Sequence, residues 1–382
     1  MKESKLPTVM FYLPEMKVGG AEISLLRLAQ GLREHGVRPV FVIHRADAAA
    51  RRLAGDMPLV SLEAERTLSA SRRLVAMLRQ QRPDFLVSAL THTNVVAAVS
   101  AKLARVPTRV IVTEHAPISS MRQIDGSSTY RMTLALMPWA YRLADAVVAV
   151  SQGVHADIRP MLLAATRRRF EIIPNPVLRE DWRALSQAPV GDDWFQDGSP
   201  PVVLSVGRLS PEKNFALLIR AFACLPAKAI ERPGVRLAII GEGPERENLQ
   251  SLIGELGLGE RVRLLGQRDN PFAFMRRARV FVMTSNFEGF GNVLIEAMAC
   301  GLPIVSTDCP VGPREILCGG RYGDLVATGD VQGLATALQA RLEDPRVLPG
   351  AFERALEFTA ESSVAQYLAL FSRLSGAAGI VR

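Results

Sequence analysis

Short apolar runs alternate with helix-period segments along the whole of this 382-residue chain. That alternation points to strand–helix–strand units and parallel sheets. In the first half the runs are 8–13, 39–43, 85–89, 109–113, 146–150 and 170–173; in the second they are 202–206, 236–240, 262–265, 280–283 and 303–306. Between the first two, Leu25, Leu28, Ala29 and Leu32 recur at three- and four-residue spacing, which predicts an amphipathic helix directly after Gly19 and Gly20. The length exceeds one ordinary core and fits two domains of about 180 residues. Segment 187–201 is rich in Pro, Gly and Asp and has no sustained period, so it is expected to be the linker. The plan is an α/β chain with an N-terminal domain at 1–186, a C-terminal domain at 202–360 and a last helix within 361–382. Each half reads as a doubly wound, Rossmann-like domain, whose ligands bind beyond the carboxyl ends of the strands. Two such domains facing each other would enclose a cleft.

Several function classes are excluded. The longest apolar stretch, near 132–150, is broken by Arg142 and Asp145, so a membrane-spanning helix is not expected. The apolar start is short for a signal peptide and reads as a first strand, which gives a cytoplasmic expectation. Cys224, Cys300, Cys309 and Cys318 lack C-x-x-C spacing and close histidines, so free, mostly buried thiols are expected rather than a zinc site. No D-x-D occurs anywhere. The net charge of +8 is uneven: residues 1–190 hold 26 Lys and Arg against 16 Asp and Glu, or +10, which leaves −2 for the rest. Two explanations of the basic half stand side by side, an anionic partner and simple solubilisation. Nucleic acid is not the expected partner, because that half has few aromatics for stacking and no recognised motif.

Chemistry concentrates around Glu288 and Glu296, eight residues apart about Gly289, Phe290, Gly291, Asn292 and Val293. The first glutamate falls in a loop after an apolar run and the second two turns into a helix. Eight residues of helix rise roughly 12 Å, the distance from a sugar ring across a diphosphate to a ribose. Bare backbone N–H groups at the intervening helix start favour phosphate. A carboxylate can take vicinal hydroxyls at either end. Glu296 lies among Leu294, Ile295, Ala297, Met298 and Ala299, a setting in which a carboxylate without a task is costly. Arg208 and Lys213 follow the run ending at Val206. Two fixed cations there would stabilise a departing diphosphate more in the transition state than in the ground state.

Residues 284–303, from Thr284 through Glu288 and Glu296 to Pro303, resemble the E-x7-E signature of the retaining glycosyltransferases of family 4, which adopt the GT-B architecture. The resemblance extends through Gly207-Arg208-Leu209 with Lys213-Asn214, and through Gly241-Glu242-Gly243-Pro244. It is thinner at Gly19-Gly20 and at Thr113-Glu114-His115. It implies retention of anomeric configuration, catalysis by Arg208, Lys213, Glu288 and His115, and a donor cradle of Gly19, Gly20, Gly289, Phe290, Gly291, Asn292, Val293 and Glu296. Arg268, after a further run, is expected at the base edge. His115 is expected near the sugar's 6-hydroxyl. The last helix is implied to cross back onto the N-terminal domain.

The expected function is transfer of a hexose or N-acetylhexosamine from a nucleotide diphosphate sugar, taken to be UDP-linked, to a hydroxyl of a lipid-linked or envelope polysaccharide acceptor. No cofactor or metal is expected, because cations and helix amides would do the leaving-group work. His92, Arg72, Arg73, Arg167, Arg168 and Arg169 are the expected acceptor contacts or the contacts to an anionic membrane surface at which the chain would be peripheral. Two rivals stand: a sugar-nucleotide epimerase of the same architecture and a non-catalytic nucleotide-sugar-binding protein.

Overall fold

In the computed structural model, which describes residues 6–17, 19–65, 67–124, 126–226 and 234–376, the chain divides into two units. One comprises residues 1–176 with 360–382, the other residues 177–359.

The first unit holds a seven-stranded sheet: β1 (Thr8–Tyr12), β2 (Arg38–Ile43), β3 (Leu59–Ser61), β4 (Phe85–Ala89), β5 (Arg109–Glu114), β6 (Ala146–Ala149) and β7 (Phe170–Ile172). Their spatial order is β3-β2-β1-β4-β5-β6-β7, and every pairing is parallel. Strands covered by helices on both faces need apolar residues at nearly every position; accordingly β4 is buried throughout and β1 at four of its five residues. The helix Ala360–Ser375 belongs to this unit. Its Val364, Tyr367, Leu370 and Phe371 join the core of β1, β2 and β4, with Phe371 stacked on Phe85 at 4.2 Å between centroids. Ser363 Oγ donates to the Pro174 carbonyl at 2.8 Å.

The second unit repeats the scheme with six parallel strands: β8 (Val202–Val206), β9 (Arg236–Ile240), β10 (Val262–Gly266), β11 (Val280–Met283), β12 (Ile304–Thr307) and β13 (Asp324–Val326). Their order is β10-β9-β8-β11-β12-β13. In both sheets the order reverses beside the first strand, between β1 and β4 and between β8 and β11. At such a switch point the loops diverge and leave a crevice beyond the carboxyl ends.

Three expectations need correction. Segment 187–201 is no free linker: it lies in the second unit, where Trp194 and Phe195 are buried. Arg236 and Arg263 stack over the Trp194 ring at 4.9 and 4.2 Å. The Pro- and Gly-rich composition marks turns that fold tightly around these two rings. The chain leaves the first unit about ten residues earlier than expected, at 176–177. Of the four free thiols, Cys300 and Cys309 are buried while Cys224 and Cys318 are exposed.

Phe371→Ala removes a fully buried ring and is expected to cost the first unit about 3–5 kcal/mol. Hydrogen exchange should quicken in β1 and β4 while β8 and β11 stay protected. Equal loosening of both sheets would contradict the assignment of the last helix.

Candidate functional site

The loops after β8 and β11 meet at the reversal point of the second sheet. After β8 the chain forms a short turn, Pro211–Lys213, capped by Asn214 in the left-handed region; after β11 it runs through Thr284 to Glu288. Lys213 Nζ and Glu288 Oε1 lie 2.5 Å apart, and Ser285 Oγ donates to the same carboxylate oxygen at 2.6 Å. Thr284 Oγ1 donates to the Lys213 carbonyl at 3.0 Å, Asn214 Nδ2 to Asn286 Oδ1 at 3.0 Å, and the Asn286 amide to the Glu212 carbonyl at 2.8 Å. Two loops far apart in sequence are thus joined by both backbone and side chains.

Arg208 is turned to Glu212, with 2.8 Å between them. Burial would raise the Glu212 carboxyl, but the Ser210 hydroxyl and the Arg208 guanidinium hold it below the usual range. Both loop cations therefore rest against carboxylates, and the Arg208 side chain stays largely exposed. Backbone packing sets this level of approach. A Cβ on Gly241, whose φ is +149°, would lie 1.8 Å from the Gly207 carbonyl oxygen; one on Gly312, at φ +100°, would lie 2.1 Å from that of Phe290. Glycine is required at both positions.

The helix after Glu288 spans Asn292–Ala299 and is capped by Gly291 at φ +102°. It begins later than the eight-residue helical spacing assumed, so Glu296 sits little more than one turn in rather than two, and half of the Glu288–Glu296 interval is loop. Both carboxylates are buried, at 9 % and 6 % exposure. Their charge reaches two buried thiols: burial pushes the Cys300 thiol up to about 12 with Glu296 adding to it, and burial with the Glu288 charge does the same at Cys309. Phe290 is expected to offer a ligand its backbone N–H, not its ring. Its ring is buried edge-to-face on Phe358 at 5.4 Å, so only its backbone faces the loop. Arg268 is exposed in the loop after β10.

In the first unit the corresponding sheet edge carries Gly19 and Gly20, His44, His92, Glu114 and His115. Gly20 opens a 15-residue helix and has no atom within 4 Å of where a Cβ would stand, so packing alone does not call for glycine there. His115 Nε2 lies 2.9 Å from Thr113 Oγ1. Burial pushes its imidazole down to about 4, against a side-chain hydrogen bond with Asn175; the ring is neutral at physiological pH. His92 is exposed at the start of the Thr91–Ala104 helix. Tyr12 Oη pairs with His44 Nε2 at 2.8 Å, and burial, followed by the nearby charge of His92, lowers the His44 imidazole.

Sequence reasoning missed the chemistry of Glu114, which closes β5 and is 2 % exposed. Tyr141 Oη donates to its Oε1, Asn94 Nδ2 to the same oxygen at 3.1 Å and Thr91 Oγ1 to Oε2 at 3.1 Å. The signal was a carboxylate directly after Val110, Ile111, Val112 and Thr113, four buried residues of the strand. Of the expected acceptor arginines, three spend donors on backbone carbonyls: Arg73 on Leu62 and Glu63, Arg167 on Leu162 and Pro160, and Arg169 on Ala144. Arg72 and Arg168 are exposed.

Two family models cover most of the chain: Glycosyltransferase Family 4 at residues 18–180 and Glycosyl transferases group 1 at residues 192–357. The chain belongs to the family 4 glycosyltransferases. Among its relatives is the N-acetylgalactosamine-N,N'-diacetylbacillosaminyl-diphospho-undecaprenol 4-alpha-N-acetylgalactosaminyltransferase of Campylobacter jejuni, 33 % identical over 65 % of this chain and 65 % of that one. The chain thus spans just under two thirds of that relative. The lipopolysaccharide core biosynthesis glycosyltransferase LpsE of Rhizobium meliloti is 29 % identical over 93 % and 96 % of the two chains. Among solved structures, Anabaena Alr3699/HepE in complex with UDP superposes with a TM-score of 0.80 at 24 % identity, covering 96 % of this chain and all of that one. The two-sheet α/β architecture is that of GT-B glycosyltransferases.

Burial pushes the Glu114 carboxyl of this family member up to about 7 from an ordinary 4.5, although Tyr141, Asn94 and Thr91 all donate to it. Between those values the unfolded chain releases a proton that the folded chain keeps, so stability falls as pH rises through that window. Glu114→Gln is expected to flatten the dependence of the first unit's stability on pH there, measured by denaturant unfolding at several pH values. A variant as pH-sensitive as the parent would contradict the assignment.

Proposed function

We propose that the chain transfers a hexosyl or N-acetylhexosaminyl group from a UDP-linked donor to a hydroxyl of a lipid-linked or envelope-polysaccharide acceptor, with retention and without a metal ion. The observation that carries this reading is the Lys213–Glu288 pair, closed at 2.5 Å across the reversal point of the second sheet. An ammonium and a carboxylate held side by side at a switch point suit a ligand that carries hydroxyls next to a diphosphate. In this reading Lys213 and Arg208 exchange their carboxylate partners for diphosphate oxygens, and Glu288 turns from the ammonium to hydroxyls of the sugar. Glu296 takes the ribose diol. Backbone amides of Gly289, Phe290, Gly291, Asn292 and Val293 hold the phosphates at the helix start, and Arg268 meets the base. Within the first unit, Gly19 and Gly20 offer bare backbone at a helix start and His115 a neutral hydrogen-bonding ring.

The relatives favour the acceptor class. The Campylobacter enzyme's name specifies an undecaprenol-diphosphate acceptor, and the Rhizobium protein's specifies lipopolysaccharide core. UDP is the ligand of the Anabaena structure. His92 and the exposed Arg72 and Arg168 remain the acceptor-side contacts of this reading.

The chemistry balances without a covalent enzyme intermediate. The bond from the anomeric carbon to the β-phosphate oxygen breaks, and the acceptor oxygen bonds to the same face of that carbon. The acceptor's proton passes to the departing phosphate oxygen. Lys213 and Arg208 offset the negative charge that grows on the diphosphate, where fixed cations are worth more in the transition state than in the ground state. No group of three or more His, Cys, Asp or Glu side chains among the described residues is set to hold a metal ion.

Slow hydrolysis of one member of a sugar-nucleotide panel by the purified protein would distinguish an enzyme from a sensor. With that donor, Lys213→Ala is expected to lower kcat about 10²–10³-fold, while Glu296→Ala should mainly raise the donor KM. Proton NMR of the product should show the donor's anomeric configuration. An inverted product, or activity lost to chelator and restored by manganese, would overturn the mechanism.

A further inference from the structure

The helix Ser128–Tyr141 and the turn after it leave an apolar stripe on the surface of the first unit. Met132, Leu136, Trp139 and Leu143 expose 39–62 % of their area. Their spacing of four, three and four residues keeps them within about 40° of one line along the helix. The opposite side, Tyr130, Thr133, Met137, Ala140 and Tyr141, is buried, so the helix has already satisfied the core and presents a second apolar face. It packs against the helix Thr91–Ala104, which exposes Val99 and Leu103. An exposed tryptophan beside three large aliphatic side chains is unusual on a water-facing surface.

The charge around this face is one-sided. Neither helix contains an Asp or Glu, while Lys102, Arg105, Arg131 and Arg142 lie on or at the ends of the two and are all exposed. Arg131 and Arg142, eleven residues apart, fall on the same flank of the stripe. Apolar side chains with an amphipathic indole, bordered by cations and free of anions, match the layers of an anionic bilayer: acyl boundary, headgroup and surface charge. No helix among the described residues is long and apolar enough to cross a membrane, so contact would be from one side.

We propose that this face of Met132, Leu136, Trp139 and Leu143, with Leu103 on the neighbouring helix and its basic flank, seats the first unit on an anionic phospholipid bilayer. The surface is distinct from Arg73, Arg167 and Arg169, whose guanidinium groups are tied to backbone carbonyls. It extends the proposed function, since a lipid-linked acceptor would be met at such a surface, yet its test needs no sugar.

The three tryptophans make the test direct. Trp182 and Trp194 are buried, so a change in emission on adding vesicles reports Trp139. Vesicles of phosphatidylglycerol and phosphatidylethanolamine should shift the emission to the blue and sediment the protein. Phosphatidylcholine vesicles should bind it at least tenfold more weakly, and salt should weaken the anionic case. Leu136→Ser with Trp139→Ser should lose at least tenfold in vesicle affinity while keeping its circular dichroism and donor hydrolysis. Trp139→Phe should abolish the shift and retain sedimentation. An unshifted parent emission, or equal binding to both vesicle types, would overturn the proposal. So would a blue shift that grows with protein concentration in the absence of lipid, which would mean that a second copy of the chain covers the face. Donor hydrolysis, measured without vesicles, reports separately on the sugar-nucleotide site, so failure of one assignment does not disguise failure of the other.

Discussion

A largely buried ion pair fixes the geometry of the second unit's ligand edge. Lys213 and Glu288 retain only 25 % and 10 % of their side-chain exposure, and leaving either charge alone in such surroundings would be strongly unfavourable. The pair therefore locks the loop after β8 to the loop after β11, and Ser285 and Thr284 complete the joint. These loops flank the place where the strand order reverses, so the contact that stabilises the edge also puts opposite charges where a doubly wound sheet receives its ligand. Under the proposed function, donor binding replaces one set of charge contacts with another instead of desolvating fresh charges.

A second buried carboxylate does different work in the first unit. Glu114 sits at the end of β5 and collects donors from Thr91 and Asn94 on one helix and from Tyr141 on another. Three donors converge on it, yet burial still dominates and its carboxyl is pushed up to about 7. The network pins the chain immediately before His115, whose ring burial keeps neutral. Both sheets thus end in a carboxylate tied to neighbouring elements. In one the partner is a lysine beside solvent, and in the other it is a set of neutral donors in the interior.

Much of this was legible because parallel strands buried on both faces leave continuous apolar runs. Eleven runs marked in the sequence coincide with strands of the structure. β3 and β13, each three residues long, are the two strands that no marked run covers. The 187–201 segment misled because its prolines and glycines outweighed Trp194 and Phe195, two large rings that had to be buried somewhere. In the sequence Gly241 stood only as part of the Gly241-Glu242-Gly243-Pro244 segment and Gly312 drew no reading, whereas the structure needs both for backbone contacts between segments that sequence does not place together. The same limit hid the partners of Glu114: Asn94, Thr91 and Tyr141 lie 20 to 27 residues away.

Surface charge was the weakest guide, and for a definite physical reason. A sequence count gives every arginine the same weight, but a guanidinium that donates to carbonyls of its own unit, as Arg167 and Arg169 do, has its position set by the fold. Solubilisation explains a scattered excess of +10 in the first half, but it does not explain why four large apolar side chains stand exposed in line on a helix without acidic residues. In the sequence, 132–150 was only an apolar stretch too interrupted to span a membrane. The fold resolves it into a buried face, a water-facing apolar face and a strand, β6. The interruption at Arg142, which rules out a crossing, is the same feature that gives the exposed face its basic border. A segment that fails as a spanning helix can thereby still meet a bilayer from one side.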